Sequence, residues 1–335
     1  MFSSVDAVGQ TPKAVIAGAS GFIGRALVRS FTEDGYDVRT IGRSGPVTWD
    51  DSAAISALVD GTDVLVNLAG KSVNCRYSDA NRDEILRSRI ETTRALRDAV
   101  AGAQHPPRVW FNASTATIYR HAMDRPNTEA SGRSGSGFSV DVATAWEREF
   151  FEGELPGTRR VALRMAIVLG DGPATRMLFT LARLGLGGPH IDGWWPQHRR
   201  YRGIGSQPTG DLAPHHRTGG RQKFSWIHID DVVGAVRFLR DGDIGGAVNL
   251  ASPNPGDDRT LMSTLRLIVR APFGLPARRW MLEPAMWMLC TEPELILKSR
   301  WVLPAVLEQA GYRFAQPDLE AALRSTRRSR TRLVG

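Results

Sequence analysis

At 335 residues, 42% of them hydrophobic and 8% aromatic, the chain holds enough apolar matter for one large α/β domain with an appended lobe, or for two modest domains. No run approaches the roughly 20 apolar residues that span a bilayer, and the opening MFSSVDAVGQTPK lacks the basic end and apolar core of a secretory signal, so a cytoplasmic location is expected. The net charge is +8, but the basic residues are dispersed apart from Arg199, Arg200 and Arg202 and a tail with Arg324, Arg327, Arg328, Arg330 and Arg332; with no reader motif beside them, neither nucleic acid nor an anionic membrane is expected as a partner.

The first predicted strand, 13–18, runs into Gly18-x-x-Gly21-x-x-Gly24, and an amphipathic helix over 22–34 begins inside the glycine run. Such glycines let the backbone turn tightly and approach a pyrophosphate, while the helix start offers free N–H groups and a positive dipole end. Placed between a first strand and its helix, the pattern predicts a dinucleotide against Gly18, Ser20, Gly21, Phe22, Ile23 and Gly24. The second strand, 37–42, ends at Arg43 and Ser44, where NAD-preferring folds usually place an acid for the ribose hydroxyls. A guanidinium there suits a 2′-phosphate, so NADP(H) is expected ahead of NAD(H); a merely solvated Arg43 is the alternative. A helix over 52–59 follows, with Asp50, Asp51 or Ser52 as its cap, or with Asp50 at an adenine edge.

The third strand, 63–68, closes on Asn67-Leu68-Ala69-Gly70, small enough for a cofactor to pass closely. Arg76 and Tyr77, then Arg89 on a helix over 79–101, are candidates to face the cofactor or an anionic substrate, with structural ion pairing as the alternative. A strand over 107–113, a helix over 138–152 and a strand over 160–168 carrying Arg164, which faces the cofactor or lies buried and paired, continue the alternation. The pattern implies a doubly wound parallel sheet with its ligand at the carboxyl ends of the strands.

Beyond Gly170 a helix over 174–184 precedes a Gly/Pro/His/Arg-rich stretch to Gly220; FSWIHIDDVVGAVRFLR reads as strand plus helix, GAVNLAS as a strand returning to the sheet, and the chain from Arg259 as helical, broken by prolines. The expected division is a dinucleotide-binding Rossmann domain over 12–170 with 223–251 returning to it, a smaller, mainly helical substrate lobe over 171–222 and 252–325, and a basic tail over 326–335. His228 in SWIHIDD is a candidate acid/base or substrate contact if Asp230 or Asp231 holds its ring, or else a structural histidine. Within an insert over 190–219, His190, His198, His215 and His216 lack ligand spacing, so no metal is expected; with Trp194 and Trp195 the segment reads as a lid or a flexible loop. The stripe WMLEPAMWMLC, 280–290, reads as lobe core or as the wall of an apolar pocket, and Cys75 and Cys290, the only cysteines, fit a reducing compartment.

Together, GASGFIG, VNLAGKSV with Arg76-Tyr77, SRIETT, the Ser114–Tyr119 strand end, AWERE, LRMAIVLGDG, GLGGP, SWIHIDD, NLASPNP and LPAVLEQAGYRFAQPDLEAAL resemble the extended short-chain dehydrogenase/reductases, the NAD(P)-dependent epimerase/dehydratase superfamily. More narrowly the chain is similar to the atypical "epimerase family protein" branch with a C-terminal domain of unknown function. The resemblance implies an NADP-binding Rossmann fold with a discontinuous substrate lobe, and a substrate-binding hydroxyl at Thr115, or at Ser114 in the alternative register. Typical members of the superfamily carry a Tyr-x-x-x-Lys relay, in which lysine lowers the tyrosine pKa, and the resembled branch departs from it. That relay is missing: the equivalent run is Phe138-Ser-Val-Asp-Val142, and none of the five tyrosines precedes a lysine by four. Tyr119 remains as an unassisted acid, poor at its ordinary pKa of about 10, or as a core residue. Two functions follow: an oxidoreductase or epimerase acting on a small carbonyl, hydroxyl or sugar-nucleotide-like molecule, or a non-catalytic NADP(H)-binding sensor or scaffold. A homo-oligomer is left open.

Overall fold

The computed structural model describes residues 11–196, 204, 216–288 and 293–334. Strand β1 (Lys13–Ala17), helix α1 (Phe22–Glu33), β2 (Asp37–Gly42), β3 (Val47–Thr48), α2 (Ser52–Val59), β4 (Val64–Asn67), α3 (Asp79–Gly102), β5 (Val109–Thr115), α4 (Phe138–Phe151) and β6 (Arg159–Met165) follow in turn. After them come β7 (Ile167–Leu169), α5 (Pro173–Arg183), β8 (His190–Ile191), β9 (Lys223–Phe224), β10 (Trp226–His228), α6 (Ile229–Asp241) and β11 (Gly246–Leu250). The last third adds β12 (Gly256–Asp257), α7 (Asp258–Val269), β13 (Ala277–Arg278), α8 (Arg279–Met288), α9 (Glu294–Leu297), α10 (Ala305–Gln309) and α11 (Leu319–Val334).

Seven parallel strands form the central sheet in the order β3-β2-β1-β4-β5-β6-β11. The order reverses beside β1, the switch point at which doubly wound sheets open a ligand crevice. Side-chain alternation sorts each strand between two layers. Ala14, Ile16, Val64, Val66, Val109 and Phe111 pack with Leu27 and Phe31 of α1 and with Val232 and Val236 of α6. Val15, Ala17, Leu65 and Trp110 face Ile55 of α2, Leu96 of α3 and Phe150 of α4 on the other side. Burial on both faces explains why these strands read as continuous apolar runs.

The strand expected over 160–168 is two strands. Ala166 N–H donates to Leu250 at 2.9 Å, inside the sheet, and Ile167 N–H to Ser225 at 3.3 Å, outside it, so β7 leaves to pair with β10. There it meets a second core, in which Phe179 of α5, Trp226 of β10, Leu261 and Leu265 of α7 and Leu323 of α11 are buried. Of the insert, residues 190–196, 204 and 216–219 are described; His198, His215, Arg199, Arg200 and Arg202 lie outside the described residues, as does Cys290 at the end of the aromatic stripe. Asp192 ties the insert's two ends together: one oxygen meets Arg279 at 2.9 Å and the other accepts from His216 N–H at 2.7 Å. No helix of the described residues is long and apolar enough to cross a membrane.

Candidate functional site

The carboxyl edge of the sheet gathers the ends of β1, β2, β4 and β5. Gly18 has φ +79°, and a Cβ on it would lie 2.7 Å from the Leu68 carbonyl carbon; one on Gly24 would lie 2.4 Å from Gly18 O. Only glycine permits this packing of loop, helix and β4. Gly21 caps α1 without a side-chain bond, and the first turn carries no acid. The N–H groups of Phe22, Ile23 and Gly24, which no helix of this kind satisfies internally, therefore remain for an anion at the positive dipole end. The Ser20 carbonyl accepts from Arg25 at 2.5 Å, drawing a guanidinium to the same loop. Ile23 packs inward against the core, and the Phe22 ring lies against Gly170 and Gly172, so both meet a ligand through backbone only.

Arg43 and Ser44 are exposed at the end of β2. Glu84 senses this guanidinium: Lys71, bonded at 2.7 Å, holds the Glu84 carboxyl below its ordinary range, and Arg43 adds a smaller pull. Asp51, not Asp50, caps α2, accepting from Ala54 N–H at 2.9 Å.

At the end of β4 the Asn67 side chain is buried and spent on the protein. Its Nδ2 donates to Asn112 Oδ1 at 2.7 Å and to Thr93 Oγ1 at 3.2 Å, while Oδ1 accepts from Ala69 N–H at 3.0 Å. Asn67 thus shapes the Leu68-Ala69-Gly70 turn and, contrary to expectation, has no side-chain group left for a cofactor. Gly70, at φ +156°, lies against Arg89, whose Nη1 donates to the carbonyls of Lys71 at 3.0 Å and Ile85 at 2.8 Å. The guanidinium stands over Trp146 at 5.0 Å. Burial pushes its pKa down to about 10, still charged at neutral pH, and no carboxylate of the described residues forms an ion pair with it. A part-buried cation at the cleft with only carbonyl and ring partners suits an anionic ligand.

Arg76 and Tyr77 turn the other way. Arg76 stacks over Trp287 of α8 at 4.0 Å and donates to its carbonyl at 3.2 Å. Tyr77 is buried edge-on against Phe138, with ring centroids 5.1 Å apart. Of the two, only the Arg76–Trp287 contact joins the lobes across the cleft.

Four further candidates are taken up by structural roles. Ser114 Oγ is buried and donates to Glu147 at 2.5 Å. Arg164 grips the same carboxylate through Nε at 2.8 Å and Nη2 at 2.7 Å, and its Nη1 donates to Tyr119 Oη at 2.8 Å. Its donors are thus committed away from any cofactor; burial is the largest single influence and opposes its charge, but the bonds to and attraction of Glu147 and Tyr119 together outweigh burial and raise its pKa. Tyr119 Oη donates in turn to Asn249 at 2.9 Å, and burial pushes its pKa above the ordinary value, against a role as an acid. His228 is buried as the cap of α6: Nδ1 accepts from Asp230 N–H at 3.2 Å and lies 3.2 Å from the Asp230 carboxylate, a partner the sequence suggested, while Nε2 lies 3.1 Å from Ser325 Oγ. No nitrogen of that ring is left for a substrate. Thr115 keeps a part-buried position at the end of β5, its Oγ1 accepting from Thr117 N–H at 3.1 Å and lying 2.9 Å from Thr117 Oγ1. Glu147, Asn112, Thr93 and Asn249, which organise this edge, escaped sequence reasoning. The only signal was Glu147 within AWERE, a charged residue on the helix face that Trp146 and Phe150 bury.

Comparison with known proteins bears on this cleft. Residues 14–251 match the NAD dependent epimerase/dehydratase family, and residues 280–326 match a domain of unknown function, DUF1731. Epimerase family protein YfhF of Bacillus subtilis is 28% identical over 319 residues, covering 92% of this chain and 95% of its own. Epimerase family protein SDR39U1 of Bos taurus is 30% identical over 323 residues, covering 93% and 98%. The crystal structure of human SDR39U1 isoform 2 with NADPH superposes with a TM-score of 0.78 at 25% identity, over 94% of this chain and 98% of that one.

Proposed function

The chain belongs to the NAD dependent epimerase/dehydratase family, and on that premise we propose that it binds NADP(H) at the carboxyl edge of the sheet and acts on a small carbonyl, hydroxyl or sugar-nucleotide-like compound without a Tyr-x-x-x-Lys relay. The observation that carries the proposal is the phosphate cradle: Gly18 and Gly24 allow no side chain, and the start of α1 is uncapped and free of acids. Arg43 at the end of β2 supports the 2′-phosphorylated cofactor. The human relative's crystal with NADPH supports the same choice.

When bound, the cofactor supplies hydride exchange. The chain itself holds phosphates on the N–H groups of Phe22 and Ile23, gives clearance at Ala69-Gly70, and places Arg89 as a fixed positive charge beside them. Thr115 orients a substrate oxygen. The proton comes from water or from another group of the site, because Tyr119 is tied between Arg164 and Asn249. Titration with NADPH and NADH, followed by single-turnover oxidation of bound NADPH across a carbonyl panel, tests the proposal. Affinity for NADPH well above NADH, with loss of NADPH absorbance on at least one substrate, supports it; no affinity for either nucleotide overturns it.

A second reading, a non-catalytic NADP(H)-binding protein, is favoured by one observation. Phe138, the first residue of α4, is buried against Tyr77 where the relay tyrosine would stand, with Val142 also buried one turn on. NADPH that binds tightly yet survives the whole panel selects this reading.

A further inference from the structure

Two loops at one edge of the smaller lobe carry apolar side chains outward. Helices α5 and α7 both end there in left-handed turns, at Gly185 (φ +75°) and Arg270 (φ +61°). Leu275 N–H donates to Gly185 O at 2.8 Å, the Phe273 ring lies on Gly185, and the Arg266 guanidinium bonds the Gly187 carbonyl. The turn over 184–188 and the loop over 270–276 are therefore one continuous surface. Leu184, Leu267, Phe273 and Leu275 on it are 54% to 68% exposed, with Leu186 beside them at 40%. Apolar exposure of this extent, gathered at adjoining loop tips, marks a binding surface.

Its charge is one-sided. No Asp or Glu occurs from Gly172 to Ile191 or from Arg259 to Leu282, the two segments that build the edge. Arg183, Arg270 and Arg278 are exposed around the apolar tips and none makes an ion pair among the described residues. Arg327 donates to the Ile268 carbonyl, which brings the start of the basic C-terminal run to the same place. Arginines scattered along the sequence are thus assembled by folding. Arg270 is the one non-glycine residue of the described chain at positive φ. A cation occupies a left-handed helix end where glycine is ordinarily favoured.

We infer that this edge docks on the surface of an anionic phospholipid bilayer, with Phe273, Leu275 and Leu184 entering the headgroup boundary and the arginines meeting lipid phosphates. Apolar tips ringed by long cationic side chains match the interfacial geometry, since arginine stems lie along apolar matter while their heads reach phosphate. A second copy is the poorer occupant, because two such faces would bring arginine against arginine.

Co-sedimentation of the full chain with phosphatidylcholine vesicles, and with vesicles containing one part phosphatidylglycerol to two parts phosphatidylcholine, tests the inference. Binding is expected to the anionic vesicles alone and to weaken in high salt. Replacing Phe273 and Leu275 with serine lowers partition at least about tenfold. The triple change Arg183→Ser, Arg270→Gly, Arg278→Ser lowers it roughly 100-fold. Arg270→Gly alone loses about fivefold while the melting temperature holds or rises, since glycine relieves the left-handed conformation; this separates lost binding from lost folding. No partition, equal partition on both vesicle types, or wild-type partition of the variants would overturn the inference. So would self-association without lipid that the Phe273/Leu275 variant abolishes, which would assign the surface to a second copy.

Discussion

Glu147 accepts from Ser114 and grips Arg164 with both oxygens, on side chains only 10% and 16% exposed. Pairing at that depth matters less for what it adds than for what its loss exposes. Glu147→Gln should lower unfolding free energy by about 3 kcal/mol in urea, because Arg164 stays charged and buried beside a neutral amide, whereas a Glu147→Leu, Arg164→Met double variant should recover most of it. A double variant as unstable as the single one would contradict this account. Arg43 is the opposite case, exposed and free to meet a ligand. Arg43→Ala should weaken NADPH about 10- to 100-fold in a fluorescence titration, the worth of hydrogen bonds to a charged group, and leave NADH nearly unchanged. Equal losses for both nucleotides would place the 2′-phosphate elsewhere.

At the level of elements, the insert's exit is fastened by a pair of histidines. The His121 ring, just beyond β5, stacks on His216 with centroids 3.5 Å apart and planes 10° from parallel. His121 Nδ1 accepts from Ser299 N–H at 3.0 Å, a bond only the neutral ring can make. Burial, then His216, Lys298, Arg120 and Arg300, push the His121 pKa from 6.5 down to about 4. His216 is lowered as well, chiefly by burial, against the pull of Asp192 and Glu294. Below pH 6.5 the unfolded chain therefore takes up the proton first. The contribution of His121 to stability is complete above that pH, declines as pH falls toward about 4, and levels off below. His121→Gln should flatten the slope of melting temperature against pH in this window; an unchanged slope would mean the stack does not titrate. Elements of this kind also mark where reading from sequence stops. The glycine loop, α2 and the parallel alternation were legible because period and glycine spacing are local signals. The break between β6 and β7 was not, since Val161–Leu169 is apolar apart from Arg164 and only its partners change at Ala166. For Arg164, Tyr119, Ser114 and His228 the sequence left a site role and a structural role both open, and partners that decide between them, Glu147, Asn249 and Ser325, lie 17 to 130 residues away, where no spacing rule reaches.

For the molecule as a whole, the two cores are interlaced by the chain. After β7 enters the smaller lobe, α6 and β11 return to the sheet, α7 goes back to the lobe, Leu307 of α10 is buried in the sheet core, and α11 ends in the lobe core. Arg76 on Trp287 adds a clasp across the cleft. A chain that crosses so often cannot free one core without pulling strands or helices from the other, so unfolding should be a single transition, unlike that of two domains joined by a linker. Hydrogen exchange should then give the amides of β1 and α7 the same opening free energy. NADPH at 100 times its Kd should add about 2.7 kcal/mol to both, with a shared rise in melting temperature of about 5 °C. If β1 alone gains protection while α7 keeps its value, the cores open independently, and the ligand at the carboxyl edge of the sheet stabilises only the layer it touches.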